Sequence, residues 1–248
     1  MENTNTIKPQ LWAKKALSVA KSNPIVVLLA IVSIIVGFFV ENFFSWGNLG
    51  NLISNTAIRF IIALGVSGCL ITKGTDLSAG RQVGLAACLA GVLIQRGDYT
   101  GRLWKSVPEM SMWLVLLIVV GIGVCIGLIN GIIIAKLKVP PFIATLGTQT
   151  IIYGICLVFT DAQPIGGFQK KYISLITGRI GSTKGFYIPY FFFIALFFGV
   201  IFWFIYNKTC HGKYMYAIGG NEVAAEVSGV NTTATLIRIY ATAGFMYA

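Results

Sequence analysis

Residues 110–135 read MSMWLVLLIVVGIGVCIGLINGIIIA, a run without a single charge. As an α-helix the run is about 39 Å long, against a hydrocarbon core about 30 Å thick. It predicts a membrane span. Gly123, Gly127 and Gly131 recur at every fourth position within it. Small residues at that spacing let helix backbones approach closely in lipid, so the same run predicts a helix–helix contact face and a compact bundle. Gly80 and Gly84 form a similar pair.

The rest of the chain repeats the pattern. Of 248 residues, 56% are hydrophobic and 11% charged, with a mean hydropathy of +0.80. A soluble domain carries about 25% charged residues. Further apolar runs cover Ile25–Val40, about Asn55–Thr72, Leu77–Ile94, Pro141–Thr160 and Phe186–Tyr206. Another starts near Thr232 and is cut off at Ala248. The expected fold is an all-α integral membrane bundle with six full spans and a truncated seventh. Residues 1–24 make an N-terminal segment and residues 25–248 the transmembrane domain, with an interspan loop over 207–231.

The net charge of +11 comes from basic residues scattered through the interspan segments. No basic face with interleaved aromatics tracks a nucleic-acid backbone, so the expected charged partner is the lipid bilayer. Lys8, Lys14, Lys15 and Lys21 precede the first apolar run, an order shared with secretory leaders. The following ENFFSWGN offers bulky aromatics where cleavage needs small residues, so the run is expected to stay as span 1. With the N-terminus cytosolic, nine Lys and Arg fall inside and seven outside. That bias, and the base-free outer loop around ENFFSWGNLGN, place the N-terminus in the cytosol. Five cysteines lack CxxC or metal-ligand spacing and serve as small apolar filler. His211 has no ligand-type neighbour and is expected in a solvated loop.

No GxxxxGK[ST], HExxH or GxSxG pattern occurs, so no catalytic residue, metal site or bound nucleotide is expected in this chain. Polar residues inside spans are costly and ask for a reason. TKGTDLSAGRQVG, residues 72–84, carries Asp76, Arg81 and Gln82 at a span start. Asp76 suits a helix cap and Arg81 suits snorkelling to headgroups; alternatively Arg81 and Gln82 face a water-filled path. Thr145, Thr148 and Gln149 share one helix face. Their uncharged hydroxyls and amide suit a neutral polyhydroxy solute, or equally hydrogen bonds between helices.

A polar island, YAIGGNEVAAEVSGV at residues 216–230, separates two apolar runs and exposes Gly219 and Gly220. Asn221 is an N-cap residue, Glu222 stands in the first turn, and Gly229 can end the helix in the left-handed conformation. A helix that short is unstable alone in water. Val223, Val227, the small Ala224 and Ala225, and the glutamates Glu222 and Glu226, with Ser228 closing the turn, suit docking into a basic groove of another protein. An ordinary interspan loop is the alternative.

AIGGNEVAAEVSGVN closely resembles the cytoplasmic coupling loop of permease subunits in sugar-importing ABC transporters of the ribose/galactose/xylose branch. KVPPFIATLGTQTIIYG resembles the same family's span-opening motif, and IIALGVSGCLITKGTDLSAGRQVGLAA looks most like the galactose/methyl-galactoside permeases. The resemblance runs from about Arg59 to the C-terminus. It implies a multi-pass subunit of the bacterial inner membrane, paired with a second permease copy, taking sugar from a periplasmic binding protein. ATP and Mg would sit on a partner ATPase, whose closure moves the loop and drives alternating access. Family members continue with further spans, so a chain ending at Ala248 is expected to be C-terminally incomplete and to transport poorly. Two alternatives follow: a fragment that only binds ATPase or permease partners, and an ion-coupled transporter. The latter normally carries mid-span carboxylates, and none is visible here.

Overall fold

The structure is a computed structural model and describes residue 18, residues 21–181 and residues 185–248. Lys8, Lys14 and Lys15 of the expected cytosolic segment lie outside the described residues. The elements in chain order are α1 (Pro24–Phe39), α2 (Trp46–Ile71), α3 (Ala79–Leu93), α4 (Met112–Ala135) and α5 (Pro141–Thr160). They continue as α6 (Lys170–Ile176), β1 (Arg179–Gly181), β2 (Tyr187–Pro189), α7 (Tyr190–Lys208), α8 (Cys210–Gly220), α9 (Glu222–Val227) and α10 (Thr232–Tyr247). The two short strands form a two-stranded ribbon.

Among the described residues four helices, α2, α4, α5 and α7, are long and apolar enough to cross a membrane. The apolar α1 and α3 are shorter, at 16 and 15 residues. The start of α2 lies well before the expected Asn55, because Ser45 caps it: the Asn48 N–H donates to Ser45 Oγ at 3.2 Å. Gly and Asn in WGNLGNLIS read as loop in the sequence, yet they sit inside the helix. By contrast α7 starts later than the expected Phe186, since Tyr187–Pro189 is extended in the ribbon.

The chain forms two compact units. The smaller holds the described residues up to Asn51 together with residues 185–187. In it the Tyr187 hydroxyl donates to Asn51 Oδ1 (2.8 Å), and Trp46 packs edge-on against Phe186 with ring centroids 5.6 Å apart.

The larger unit, Leu52–Gly181 with Ile188–Ala248, has α10 against α4 at its centre. The glycine stripe makes that contact. A Cβ on Gly127 would come 2.2 Å from the Tyr240 carbonyl oxygen, and one on Gly123 2.6 Å from that of Gly244. Around it Cys69, Ile134, Met215, Ile239 and Ala243 form the core. The pair Gly80 and Gly84 behaves differently from expectation. A Cβ on either meets nothing within 4 Å, so among the described residues no helix packs closely there.

The segment 207–231 is mostly helical rather than a loop. Thr209 Oγ1 accepts from the Gly212 N–H (3.3 Å) to cap α8, and Asn221 Oδ1 from the Ala224 N–H (3.0 Å) to cap α9. His211 therefore stands half-buried on α8 and not in a solvated loop. Gly219 is buried as well: a Cβ there would come 1.9 Å from the Ile71 carbonyl oxygen.

Candidate functional site: a buried polar network and a capped helix

Between α2 and α3 the backbone is irregular over Thr72–Ser78, with Lys73 at a φ of 60°. Buried irregular backbone persists only where protein satisfies its polar groups. Thr145 on α5 does so. Its Oγ1 accepts from the Leu77 N–H (3.1 Å) and donates to Pro141 O (2.8 Å), with Thr75 O at 3.2 Å. Thr145 is fully buried, so its hydroxyl serves the fold of the neighbouring segment.

Asp76 turns its Oδ1 to the Ser78 N–H (2.9 Å) and hydroxyl (2.5 Å). This is an Asx turn, and the N-cap of α3 is Ser78 rather than Asp76. Ser78 Oγ accepts from Gln82 Nε2 (2.9 Å) and from Asn130 Nδ2 on α4 (3.1 Å), which fills its hydrogen-bonding capacity. Thr148 on α5 donates to Asn130 Oδ1 at 2.5 Å, and the Tyr247 hydroxyl on α10 donates to Asp76 Oδ2 at 3.1 Å. The network thus ties α3, α4, α5 and α10 together. Among the described residues Asp76 has no ion-pair partner, and Gln82 Oε1 and the Tyr240 hydroxyl are buried without hydrogen bonds.

Of the expected site residues, Asp76, Gln82, Thr145 and Thr148 come together in this region, while Arg81 and Gln149 do not join the network. Arg81 is exposed, its guanidinium 4.2 Å above the Tyr153 ring, and Gln149 is half-buried on α5. Ser78, Asn130 and Tyr247 escaped the sequence reading. Asn130 carried a signal, as the lone amide in the long uncharged run.

At one end of the larger unit α9 is fixed at both termini. The Val230 N–H donates to Ala225 O (3.0 Å) and the Gly229 N–H to Glu226 O (2.9 Å), a Schellman closure with Gly229 at φ +87°. Ala225 is buried, which leaves Val223 and Val227 71% and 85% exposed beside Glu226. Glu222 pairs with Lys138 from the α4–α5 turn at 3.3 Å, and Lys73 Nζ donates to Gly220 O at 3.2 Å. Glu222 is thus engaged within the chain, whereas Glu226 forms no ion pair among the described residues. A cleft of about 160 Å³ beside this pair, lined by Lys138, Pro140, Pro141 and Tyr240, is smaller than the ~300 Å³ of a small-molecule pocket.

Apolar helices of spanning length around buried polar residues define a multi-pass membrane protein. The family model described as the permease component of the branched-chain amino acid transport system matches residues 48–247, and the chain belongs to that family of permease components. It is similar to the galactose/methyl galactoside import permease protein MglC of Escherichia coli K12, 45% identical over 240 residues (95% of this chain, 70% of the relative). The protein of the same name in Haemophilus influenzae is 43% identical over 96% of this chain and 71% of the relative. The ribose import permease protein RbsC of Bacillus subtilis is 37% identical over 90% and 63%. No solved structure matches the chain.

Proposed function

We propose that the chain is the permease subunit of an ATP-driven importer of a monosaccharide, galactose or a methyl galactoside. In this role residues 25–248 cross the bacterial inner membrane with the N-terminus inside. Six spans precede a seventh that continues as α10. Segment 207–231 carries the ATPase contact: Gly219, Gly220 and Asn221 shape its entry, Glu222, Ala224, Ala225 and Glu226 form the docking helix, and Ser228 and Gly229 close it. The partners are an ABC ATPase holding ATP and Mg, a periplasmic sugar-binding protein and a second permease copy.

One observation carries the proposal. A six-residue helix is capped at both ends and anchored through Ala225, yet presents Val223, Val227 and Glu226 outward. A segment that short holds its shape only because the fold over-determines it. The polar groups of Asp76, Gln82 and Thr148 suit a neutral solute once the helices around them part, and the unpartnered Gln82 Oε1, buried in this state, would then accept from a sugar hydroxyl. Arg81 and Gln149 extend that set where α3 meets α5, and Thr145 holds the backbone beside it. ATP-driven closure of the ATPase would shift the balance of inward- and outward-facing states through α9.

The test is co-expression with the ATPase of a galactoside importer and affinity purification, followed by uptake of labelled galactose. Glu226→Lys is expected to abolish co-purification while the chain stays folded. Retention of the ATPase by Glu226→Lys and by a Val223→Asp, Val227→Asp double variant sinks the coupling role of α9.

A further inference from the structure

The cysteines were expected as apolar filler, yet the fold sets two of the five face to face. The Leu77 N–H bond to Thr145 Oγ1 (3.1 Å) fixes the start of α3 beside the first turn of α5. Near the other end a Cβ on Gly91 would lie 3.2 Å from the Ile165 side chain, just past the end of α5, so the two helices run parallel. Cys88 comes eleven residues after Leu77, and Cys156 eleven after Thr145. Eleven residues make about three helical turns, so the two cysteines stand at one level and on the facing sides. Arg81 confirms the register. It lies seven residues before Cys88, on the same face of α3, and its guanidinium sits 4.2 Å above the ring of Tyr153, one turn before Cys156. The Cys156 thiol accordingly has the Cys88 thiol as a hydrogen-bonding neighbour. Both helices belong to the larger unit, so the pairing depends on nothing outside these two segments.

The place of the pair gives it a consequence. Cys88 is five residues before Leu93 and Cys156 four before Thr160, within about 8 Å of the helix ends. With the N-terminus inside, as proposed, those ends face an oxidising compartment. Gln82 and Thr148 of the polar network lie about two turns deeper on the same two helices.

We infer that Cys88 and Cys156 are a redox latch, a dithiol that a disulfide oxidant converts to a disulfide bridging α3 and α5. The bridge keeps the helices from parting around Gln82 and Thr148 and so shuts the solute path. That consequence rests on the sugar-permease proposal; the pairing itself rests on helix register. The step is two thiol–disulfide exchanges. One cysteine thiolate attacks the oxidant disulfide and expels a thiolate, and the second attacks the mixed disulfide and expels the other. Two electrons pass to the oxidant, and the two cysteine protons end on the two thiols released.

In the test, membranes holding the full chain with its ATPase are treated with 2,2′-dithiodipyridine, a disulfide that crosses lipid. Non-reducing peptide mass spectrometry is expected to find residues 88 and 156 in one linked pair, split by dithiothreitol. Uptake of labelled galactose should be lost on oxidation and return with dithiothreitol. A Cys88→Ser, Cys156→Ser variant should import alike before and after oxidation, and Cys88→Ala, Cys156→Ala repeats the comparison with apolar replacements. Separate pyridyl adducts or free thiols at 88 and 156, with no linked pair, overturn the latch. A linked pair that leaves uptake unchanged, or equal loss in the doubly substituted chains, overturns its control of transport. An unoxidised complex that imports no galactose counts instead against the sugar-permease proposal, and the linked peptide still reads the pairing.

Discussion

Substituting Gly127 by alanine adds one methyl group where the helices α4 and α10 touch backbone to backbone. The new Cβ would lie 2.2 Å from the Tyr240 carbonyl oxygen, 3.0 Å from its carbon and 3.1 Å from Ala241 Cα. None of these atoms can swing away, so the helices must part by about 1 Å to restore van der Waals distance. Overpacking of this kind costs about 1–3 kcal/mol. The control is Gly121→Ala on the same helix, whose Cβ meets nothing within 4 Å and which gains up to about 1 kcal/mol of helix propensity. At about 2–4 °C per kcal/mol for a chain of this size, Gly127→Ala should melt about 2–12 °C below Gly121→Ala. Size-exclusion profiles of detergent-purified protein after graded heating read the difference. The shift also pulls Tyr247 from Asp76 Oδ2, now 3.1 Å away, so the loss should shrink when Tyr247→Phe is already present. Equal melting of Gly127→Ala and Gly121→Ala would refute the close α4–α10 contact.

Thr145→Val leaves the Leu77 N–H without its acceptor, which should cost about 1–3 kcal/mol, while Thr145→Ser keeps the bond; melting temperatures of the pair decide it. Gly229→Ala forces a side chain into φ +87° at a cost of about 1–2 kcal/mol, and is expected to fray α9 and weaken ATPase co-purification. His211, half-buried on α8, has its pKa held below the ordinary 6.5 by burial first and by Arg238 second. Above 6.5 both folded and unfolded forms are neutral and His211 adds no pH dependence. As pH falls below 6.5 the unfolded chain takes up the proton first, so stability drops until the folded pKa is passed. His211→Gln should remove that acid-side loss in melts from pH 7.5 to 5.

The apolar runs located most helices well because length and hydropathy are local properties. Pro141–Thr160 matches α5 residue for residue, since Pro141 starts the helix and Asp161 ends it in the left-handed region. The cap, body and left-handed closure of α9 were legible for the same reason. Reading stopped where partners distant in sequence decide. Nothing local in TKGTDLS says that Thr145, sixty-eight residues beyond Leu77, will satisfy its backbone. Nor does the sequence separate the stripe at Gly123, Gly127 and Gly131, which meets α10, from Gly80 and Gly84, which meet no helix among the described residues.

The two parts of the candidate site are mechanically continuous. Residues 228–231 alone separate α9 from α10, and the Val230 N–H bond to Ala225 O leaves little slack. The glycine contacts lock α10 onto α4 through backbone, so the pair can tilt only as one body. That body carries Asn130 and Tyr247, the two arms that reach Ser78 and Asp76. The polar contacts at the α9 end are of another kind. Lys138–Glu222 is an exposed ion pair, worth at most about 1 kcal/mol, and Lys73 to Gly220 O is a single exposed hydrogen bond. Meanwhile α8 is held against α2 where Gly219 meets Ile71. Asn221 is the extended residue between the anchored α8 and the body that begins with α9. The same body is packed on α8 and α2, where Met215 and Cys69 share the core with Ile239 and a Cβ on Gly65 would lie 3.2 Å from the Ala243 carbonyl oxygen, so a force on the outward face of α9 can turn the polar network only by shifting that core as well.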